Sequence, residues 1–448
     1  METLRGDEAV GTASDLTVVA RSHELDDVDH AALLAEVSRP SVVWRDGEEA
    51  VVTTGATASI TANGPDRFAT VRETATALFD RLRTPATPQP ARPRLFGGFA
   101  FHDGAADRGP STWDGFPDAW FVLPTVQVTT SGDRCWLTVT ATGPDADRQA
   151  TDRLERWRER LSDLPTHEPT GRPGIVDQHR TPSREDWREQ VEDAVADIRS
   201  GTLRKVVLAQ SLSVGLERPL SIPDALSRLD TRYPDCVRFA VTTESEAAGT
   251  LFGATPEKLV SLSGRTVQTE ALAGSTGRGE TPAEDEWLGE ELLDSDKDNH
   301  EHDLVVEAIR DQLDPVASSV QTGERILRRL ATVQHLQTPI RATLESDRHV
   351  LDLVEALHPT PAVGGLPPDA ALETIKSTEA FDRGWYAAPV GWMDAAGNGT
   401  FAVAIRSALA RERTASLFAG AGIVHDSDPD REWDEVQLKY RPMLDELE

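Results

Sequence analysis

The chain has 448 residues, 38% apolar and 27% charged, with ten tryptophans and a formal net charge of −30. That is a globular composition, long enough for two or three units or for one large unit made of two halves. The acidic excess is spread along polar faces, which excludes nucleic acid as a partner, and the absence of any apolar run of about eighteen residues excludes a membrane-spanning helix.

Basic residues are written almost wholly as arginine. Five lysines occur, Lys205, Lys258, Lys297, Lys376 and Lys439, none of them in the first 204 positions. A scarcity of lysine under so large an acidic excess is the expected surface of a protein adapted to a very salty cytoplasm, where self-repulsion is screened over a few ångströms. Cys135 and Cys236 have neither a disulfide framework nor metal-ligand spacing and are expected as small core residues. The opening METLRGDEAVGTASD lacks a basic segment followed by an apolar one. No signal peptide is expected, and a reducing, cytoplasmic setting follows.

In chain order, SVVWRDGEEAVVTTG (41–55) predicts a hairpin turning at Asp-Gly, and FVLPTVQVTTSGDRCWLTVTA (121–141) a second one turning at Ser131–Asp133. Between them, RLFGGFAF (94–101) is an apolar strand whose paired glycines mark a bulge or a close backbone approach. Residues 164–183, rich in Pro, Thr, Gly and His, are expected as a linker between an N-terminal β-rich half, 1–163, and a catalytic region, 184–448. A helix then opens on Ser183 and Asp186, carries Trp187, Val191, Ala194, Val195 and Ile198 on one face, and ends at Gly201. KVVLAQSLSV is apolar on both faces, as a buried strand is. RFAVTT (238–243), LFGATPE (251–257) and the hairpin LVSLSGRTVQTEAL (259–272) follow. Helical stretches are predicted over 283–313 and 367–380, and a C-terminal meander runs through VGWMD, FAVAIRSALA and ASLFAGAGIV. Short connections mean antiparallel strands, and without βαβ alternation a doubly wound sheet is excluded.

Four constellations carry chemistry. DNHE (298–301) and EWDE (432–435) each place two carboxylates on one helical face. Read as ligands they are an oxygen-only set suited to a hard cation; read blandly they are two solvated faces in an acidic chain. HEH (300–302) has the wrong spacing for zinc on a helix, because its histidines point to different faces. The glycine-rich stretches ALAGSTGRGE, HPTPAVGG and FAGAGIV let backbone amides approach an anion, although none is a nucleotide-binding loop of the G-K-[ST] kind. Finally, Lys205 at the mouth of a buried strand needs a partner carboxylate or a lowered pKa. Paired with Glu257 it is a base and acid, or else a structural ion pair.

Together these stretches resemble the chorismate-utilising enzymes, among them isochorismate, salicylate, anthranilate and aminodeoxychorismate synthases. The segments that carry the resemblance are KVVLA, TPEKLV, LAGSTGRG, DSDKDNHEHDLVV, HPTPAVGG, FDRGWYAAPVGW, FAVAIRSA and FAGAGIVHDSDPDREWDEVQLK, in family order over 184–442, with LFGGFAF as a weaker N-terminal match. The resemblance implies an α+β fold: large, mostly antiparallel sheets packed with helices in a layered sandwich, like anthranilate synthase component I, with the site in a cleft between sheet and helices. It also implies Mg²⁺, with Glu301 and Glu435 as direct ligands and Asp298 and Glu432 acting through water.

Lys205 separates water-using relatives, which have lysine there, from anthranilate-type ones with glutamine. By the same resemblance Lys205 activates water for attack at C2 of chorismate, and protonated Glu257 donates to the departing C4 hydroxyl. Arg406, assisted by Tyr386, takes the enolpyruvyl carboxylate. Gly274, Ser275, Ala362 and Gly420 line the substrate, and Lys439 neutralises a carboxylate. The expected activity is that of an isochorismate synthase of the menaquinone type, acting on a small molecule without an obligatory glutaminase subunit. A salicylate synthase, which adds pyruvate elimination, is the alternative; anthranilate or aminodeoxychorismate synthase component I stands behind it. Gln210 and Thr400 depart from the family pattern, where arginine and an acidic residue are usual.

Overall fold

The computed structural model describes residues 3–5, 17–104 and 111–448. Most of the N-terminal stretch examined for a leader lies outside the described residues.

Two extended sheets share a pair of long strands, Glu49–Ala62 and Ala119–Ser131. In one, neighbours run Ile175–Thr181, Lys205–Leu216, Thr414–Ile423, Ser407–Arg411, Thr250–Thr255, Val237–Thr242 and Ser41–Asp46, then the shared pair, Arg134–Thr142 and Val18–Leu25. In the other, Val333–Leu344 is followed by Thr266–Gly277, Lys258–Ser263, Gly399–Val403, Pro389–Asp394 and Arg94–Phe99, which leads back to Ala119–Ser131. The shared strands change sheet at a corner: Gly55 has φ +68, the register slips between Ala56 and Ala58, and Pro124 lies opposite Ala56. A bulge with glycine bends a strand there, interrupting its ladder only locally. The ladders between these strands are antiparallel, as the short connections require.

The glycine pair in RLFGGFAF marks a close approach. A Cβ on Gly97 would fall 1.9 Å from the Trp120 carbonyl oxygen, and one on Gly98 2.6 Å from that of Pro389. Both predicted N-terminal hairpins form, with Asp46 opposite Glu49 and Ser131 opposite Arg134. The helix Arg184–Ser200 is capped by Ser183, which accepts from the Asp186 amide, and ends on Gly201 at φ +86. A single hydrophobic cluster runs through both sheets and the helices on them. Among the described residues no helix is long and apolar enough to cross a membrane. Cys135 and Cys236 are buried and unpaired.

Four local expectations change. The helical stretch 283–313 is two helices, Pro282–Asp294 and Asp296–Leu313, because Ser295 takes an extended conformation and caps the second through the Asp298 amide. FAVAIRSALA is two strands, ending at Val403 and resuming at Ser407. The segment 164–183 contains the strand Ile175–Thr181, paired along Lys205–Leu216. No element is predicted for 317–344, yet Ala317–Thr322 and Ile326–Arg329 both pair on Val333–Leu344. Those two strands lie at an edge and are mostly exposed, so they lack the apolar alternation that announces a strand.

Candidate active site

One pocket lies between the two sheets. Its walls come from Lys205–Leu216 and Thr414–Ile423 on one side and Thr266–Gly277 with His335 on the other. The helices Asp296–Leu313 and Pro429–Leu444 stand at its mouth, each packed on one of those strands. Glu257, Gly274, Ser275, Asp298, Glu301, Ala362, Tyr386, Arg406, Gly420, Glu435 and Lys439 all line it. Residues scattered over more than 180 positions of sequence thus meet in one cavity. Glu432 lines an adjoining vestibule that shares Asp298, Glu435 and Lys439 with the pocket. Gln210 and Thr400 line neither.

Lys205 sits just behind the wall, 1% exposed, with Nζ 2.8 Å from Glu301 Oε1. The partner carboxylate is therefore Glu301 rather than Glu257. The pair presses on Gly422, where an added Cβ would be 2.5 Å from Glu301 Oε1 and 3.0 Å from Lys205 Cε. Here FAGAGIV has its physical reason: the glycine makes room for an ion pair. Burial raises the pKa of Glu301, but Lys205, Lys439 and Lys297 together outweigh it and bring the carboxyl below its usual value.

Glu257 follows the strand Thr250–Thr255 and is 4% exposed; its Oε1 accepts from Thr360 Oγ at 3.3 Å. Burial, with the Glu270 carboxylate adding to it, pushes its pKa up to about 7. A carboxylic acid that stays neutral near pH 7 is suited to donate a proton.

Arg406 occupies the break in the C-terminal meander at φ +50, an uncommon conformation for a residue with a side chain. The Ala254 amide holds its carbonyl at 3.1 Å. The strained turn carries a buried guanidinium whose Nη2 lies 3.5 Å from His335 Nε2 and whose Nη1 has no partner. A buried donor without an acceptor is costly unless a ligand supplies one. Tyr386 stacks on Phe418 at 5.3 Å between centroids, and burial pushes its pKa up to about 12, so it stays a neutral phenol.

The carboxylates of the two helices face each other across the mouth. Lys297 Nζ is 3.2 Å from Glu432 Oε1, and Lys439 Nζ is 2.6 Å from Glu435 Oε1 and 2.8 Å from the Gly420 carbonyl. Burial and the neighbouring Glu435 push Glu432 up to about 7; burial and Glu301 also raise Asp298. Carboxylates that raise one another's pKa hold their protons more readily, unless a cation stands between them. Among the described residues no group of three or more His, Cys, Asp or Glu side chains is arranged to hold a metal ion. Lys205, Lys297 and Lys439 each engage one of the carboxylates that such a group would need. The donor chemistry is oxygen throughout, the kind a hard divalent ion takes, although in this structure the lysines occupy those carboxylates. His302 belongs to the core: its Nδ1 meets the Ala273 carbonyl at 3.2 Å and its Nε2 Thr338 Oγ at 2.7 Å, while His300 is exposed.

Sequence reasoning missed three polar residues of the pocket. Lys297 carried a signal, since it is one of so few lysines and precedes DNHE. His335 had none beyond its place among apolar neighbours in VQHLQ. Arg383 lies in FDRGWY. It donates to the carbonyls of Val363 and Val207, each at 2.8 Å, and to Glu379, which in turn accepts from the Ala209 amide at 2.9 Å. That fully bonded clasp ties the Lys205 strand to the HPTPAVGG loop.

A pocket between two sheets with two acidic helices at its mouth, in an α+β layered sandwich, is the frame in which the comparisons are read. The profile of the family described as chorismate binding enzyme matches residues 7–448, and the chain belongs to that family. It is 38% identical over 466 aligned positions to the salicylate biosynthesis isochorismate synthase of Pseudomonas aeruginosa, covering 100% of this chain and 94% of that one. To the isochorismate synthase MenF of Bacillus subtilis it is 38% identical, over 79% of this chain and 74% of that protein. The crystallised menaquinone-specific isochorismate synthase MenF from Escherichia coli superposes with a TM-score of 0.80 at 26% identity, covering 97% of this chain and 95% of that one.

Proposed function

We propose that the chain is a magnesium-dependent isochorismate synthase. The observation that carries this reading is a single pocket holding a carboxyl neutral to about pH 7, Glu257, together with a buried guanidinium whose Nη1 has no partner, Arg406. A dicarboxylate with a departing hydroxyl group needs both. Lys205, freed from Glu301 and first giving up its ammonium proton to solvent, acts as the free amine and takes a proton from water as that water's oxygen bonds to C2. The ring double bonds shift, and Glu257 protonates the C4 hydroxyl, which leaves as water. One water enters and one leaves, so the reaction is an isomerisation.

Arg406, with Tyr386 beside it, receives the enolpyruvyl carboxylate by charge-assisted hydrogen bonds. Lys439, close to the Gly420 carbonyl, neutralises the second carboxylate, and Gly274, Ser275 and Ala362 shape the walls. Glu301 and Glu435 would hold the magnesium ion, with Asp298 and Glu432 acting through its waters. When bound, that ion neutralises and orients the ring carboxylate. Arginine at 205 would serve badly as the base, since it keeps its proton at any working pH. Because the nucleophile is water, no glutaminase subunit is invoked.

Product analysis after incubation with chorismate and Mg²⁺ tests the reading. Isochorismate alone is the expected product. Salicylate with pyruvate would move the chain to the lyase-type alternative, and no turnover of chorismate would sink the proposal. The charge of −30 and the scarcity of lysine further support work at molar salt. The same assay in multimolar KCl is expected to run faster than in dilute buffer, and the reverse would remove that inference.

A further inference from the structure

His335, 5% exposed, joins two substrate-facing residues of the pocket. Its Nδ1 is 2.9 Å from Ser275 Oγ and 3.4 Å from the Gly274 carbonyl oxygen; its Nε2 is 3.5 Å from Arg406 Nη2. Two of these partners are one-sided. A guanidinium only donates and a carbonyl only accepts. Both therefore demand the same tautomer, with the proton on Nδ1 and the lone pair on Nε2. Burial, reinforced by Arg406 and Lys439, holds the ring pKa well below its usual value, so the ring is neutral.

A consequence follows for Ser275. Since Nδ1 carries a proton, the Ser275 oxygen can only accept from the ring, and its own O–H hydrogen is left for the pocket. At the other end, the Nε2 lone pair anchors Arg406 Nη2 and leaves Nη1 as the outward donor. We propose that His335 is a positioning residue, fixed in the Nδ1–H tautomer by Arg406 and Gly274, that makes Ser275 an obligate hydrogen-bond donor to a carboxylate of the substrate. This deepens the isochorismate synthase reading and rests on it for the identity of that substrate. His335 itself touches no reacting atom.

Nitrogen NMR of ring-labelled histidine in the full-length protein reads the tautomer without any turnover. A proton on Nδ1 and a bare Nε2 are expected. A protonated Nε2 would overturn the proposal even if isochorismate is formed. Kinetics with chorismate supply the second arm. Ser275→Ala and His335→Leu should each raise KM about tenfold with a smaller change in kcat. The double variant should be no worse than His335→Leu alone, because without the ring to orient it the Ser275 hydroxyl has already lost its fixed direction. His335→Asn, whose amide nitrogen can stand where Nδ1 stood, should recover most of the affinity. Effects that multiply in the double variant would overturn the coupling. Should His335→Leu fail to fold, the tautomer and the Ser275→Ala and His335→Asn constants still decide. Absence of any isochorismate with the expected tautomer present would fault the reaction assignment instead.

Discussion

Lys205 Nζ, just behind the pocket wall, stands 2.8 Å from Oε1 of Glu301, which lines the pocket, and the proposed base is thereby bonded to a proposed metal ligand. The relationship recurs. Lys297 holds Glu432 and Lys439 holds Glu435, so three of the chain's five lysines neutralise the acidic cluster that a divalent ion would occupy. An ammonium is a compact charge that can leave one carboxylate for another partner. A guanidinium locked in a bidentate fork exchanges less readily. In a sequence with only five lysines, three stand at this one cluster, while Lys258 and Lys376 pair with Asp46 and Asp103 elsewhere.

Lys205→Ala removes the base and leaves Glu301 buried without its ammonium. Activity is expected to fall at least about a hundredfold. The metal-free protein should lose roughly 3 kcal/mol, the usual cost of stripping one member from a buried ion pair. Thermal melts with and without Mg²⁺ check the second part: added Mg²⁺ should restore more stability to the variant than it adds to the parent. Lys205→Arg should remain inactive.

Chelation should abolish turnover while leaving the chain folded, because the lysines take over charge balance. Titrating Mg²⁺ back should raise the melting temperature in step with activity. Glu301→Gln and Glu435→Gln are each expected to remove that Mg²⁺-dependent shift. Glu432→Gln, acting through water, should weaken Mg²⁺ about tenfold to a hundredfold by calorimetry.

Glu257 has a pKa raised from 4.5 to about 7 by burial. As the acid it must be protonated, so kcat/KM should fall as pH rises through about 7. Its effect on stability has a definite sign. Between pH 4.5 and about 7 the folded state binds the proton that the unfolded state has lost, so stability falls as pH rises through that window and levels off above it. Glu257→Gln should therefore be inactive yet more stable than the parent at pH ~8, by up to about 3 kcal/mol, with the difference gone below pH ~4.5. Denaturant melts at the two pH values measure it.

Gln210 is fully buried and neither atom of its amide has a partner. It lies three positions from Val207, which lines the pocket, and strand alternation turns it to the opposite face. Gln210→Leu should add about 1 kcal/mol or more to stability by denaturant melts and leave kcat and KM unchanged. A large loss of activity would show that the amide reaches the site after all.

Much of the fold was legible where one short segment carries its own signal. The Asp46–Gly47 turn, the Ser183 cap and the Gly97–Gly98 pair each announce a local geometry that the structure repeats. Edge strands such as Ala317–Thr322 were not legible, because a strand exposed on both faces has the pattern of a loop. The break at Arg406 was hidden inside an apolar run, since the strain there is sustained by contacts from Ala254 and the surrounding sheet rather than by any local residue.

By itself the sequence determined the chemical inventory: the carboxylate pairs on two helix faces, a retained lysine, an arginine in a β-rich stretch, and glycines where backbones approach. Those follow from residue type and spacing, which are local. The tertiary structure alone decided the pairings. It bonded Lys205 to Glu301 instead of Glu257, made Gly422 the space for that pair, and set His335 between Ser275 and Arg406. Each of these joins residues sixty or more positions apart, and partners are chosen by proximity and burial once two sheets close on one pocket.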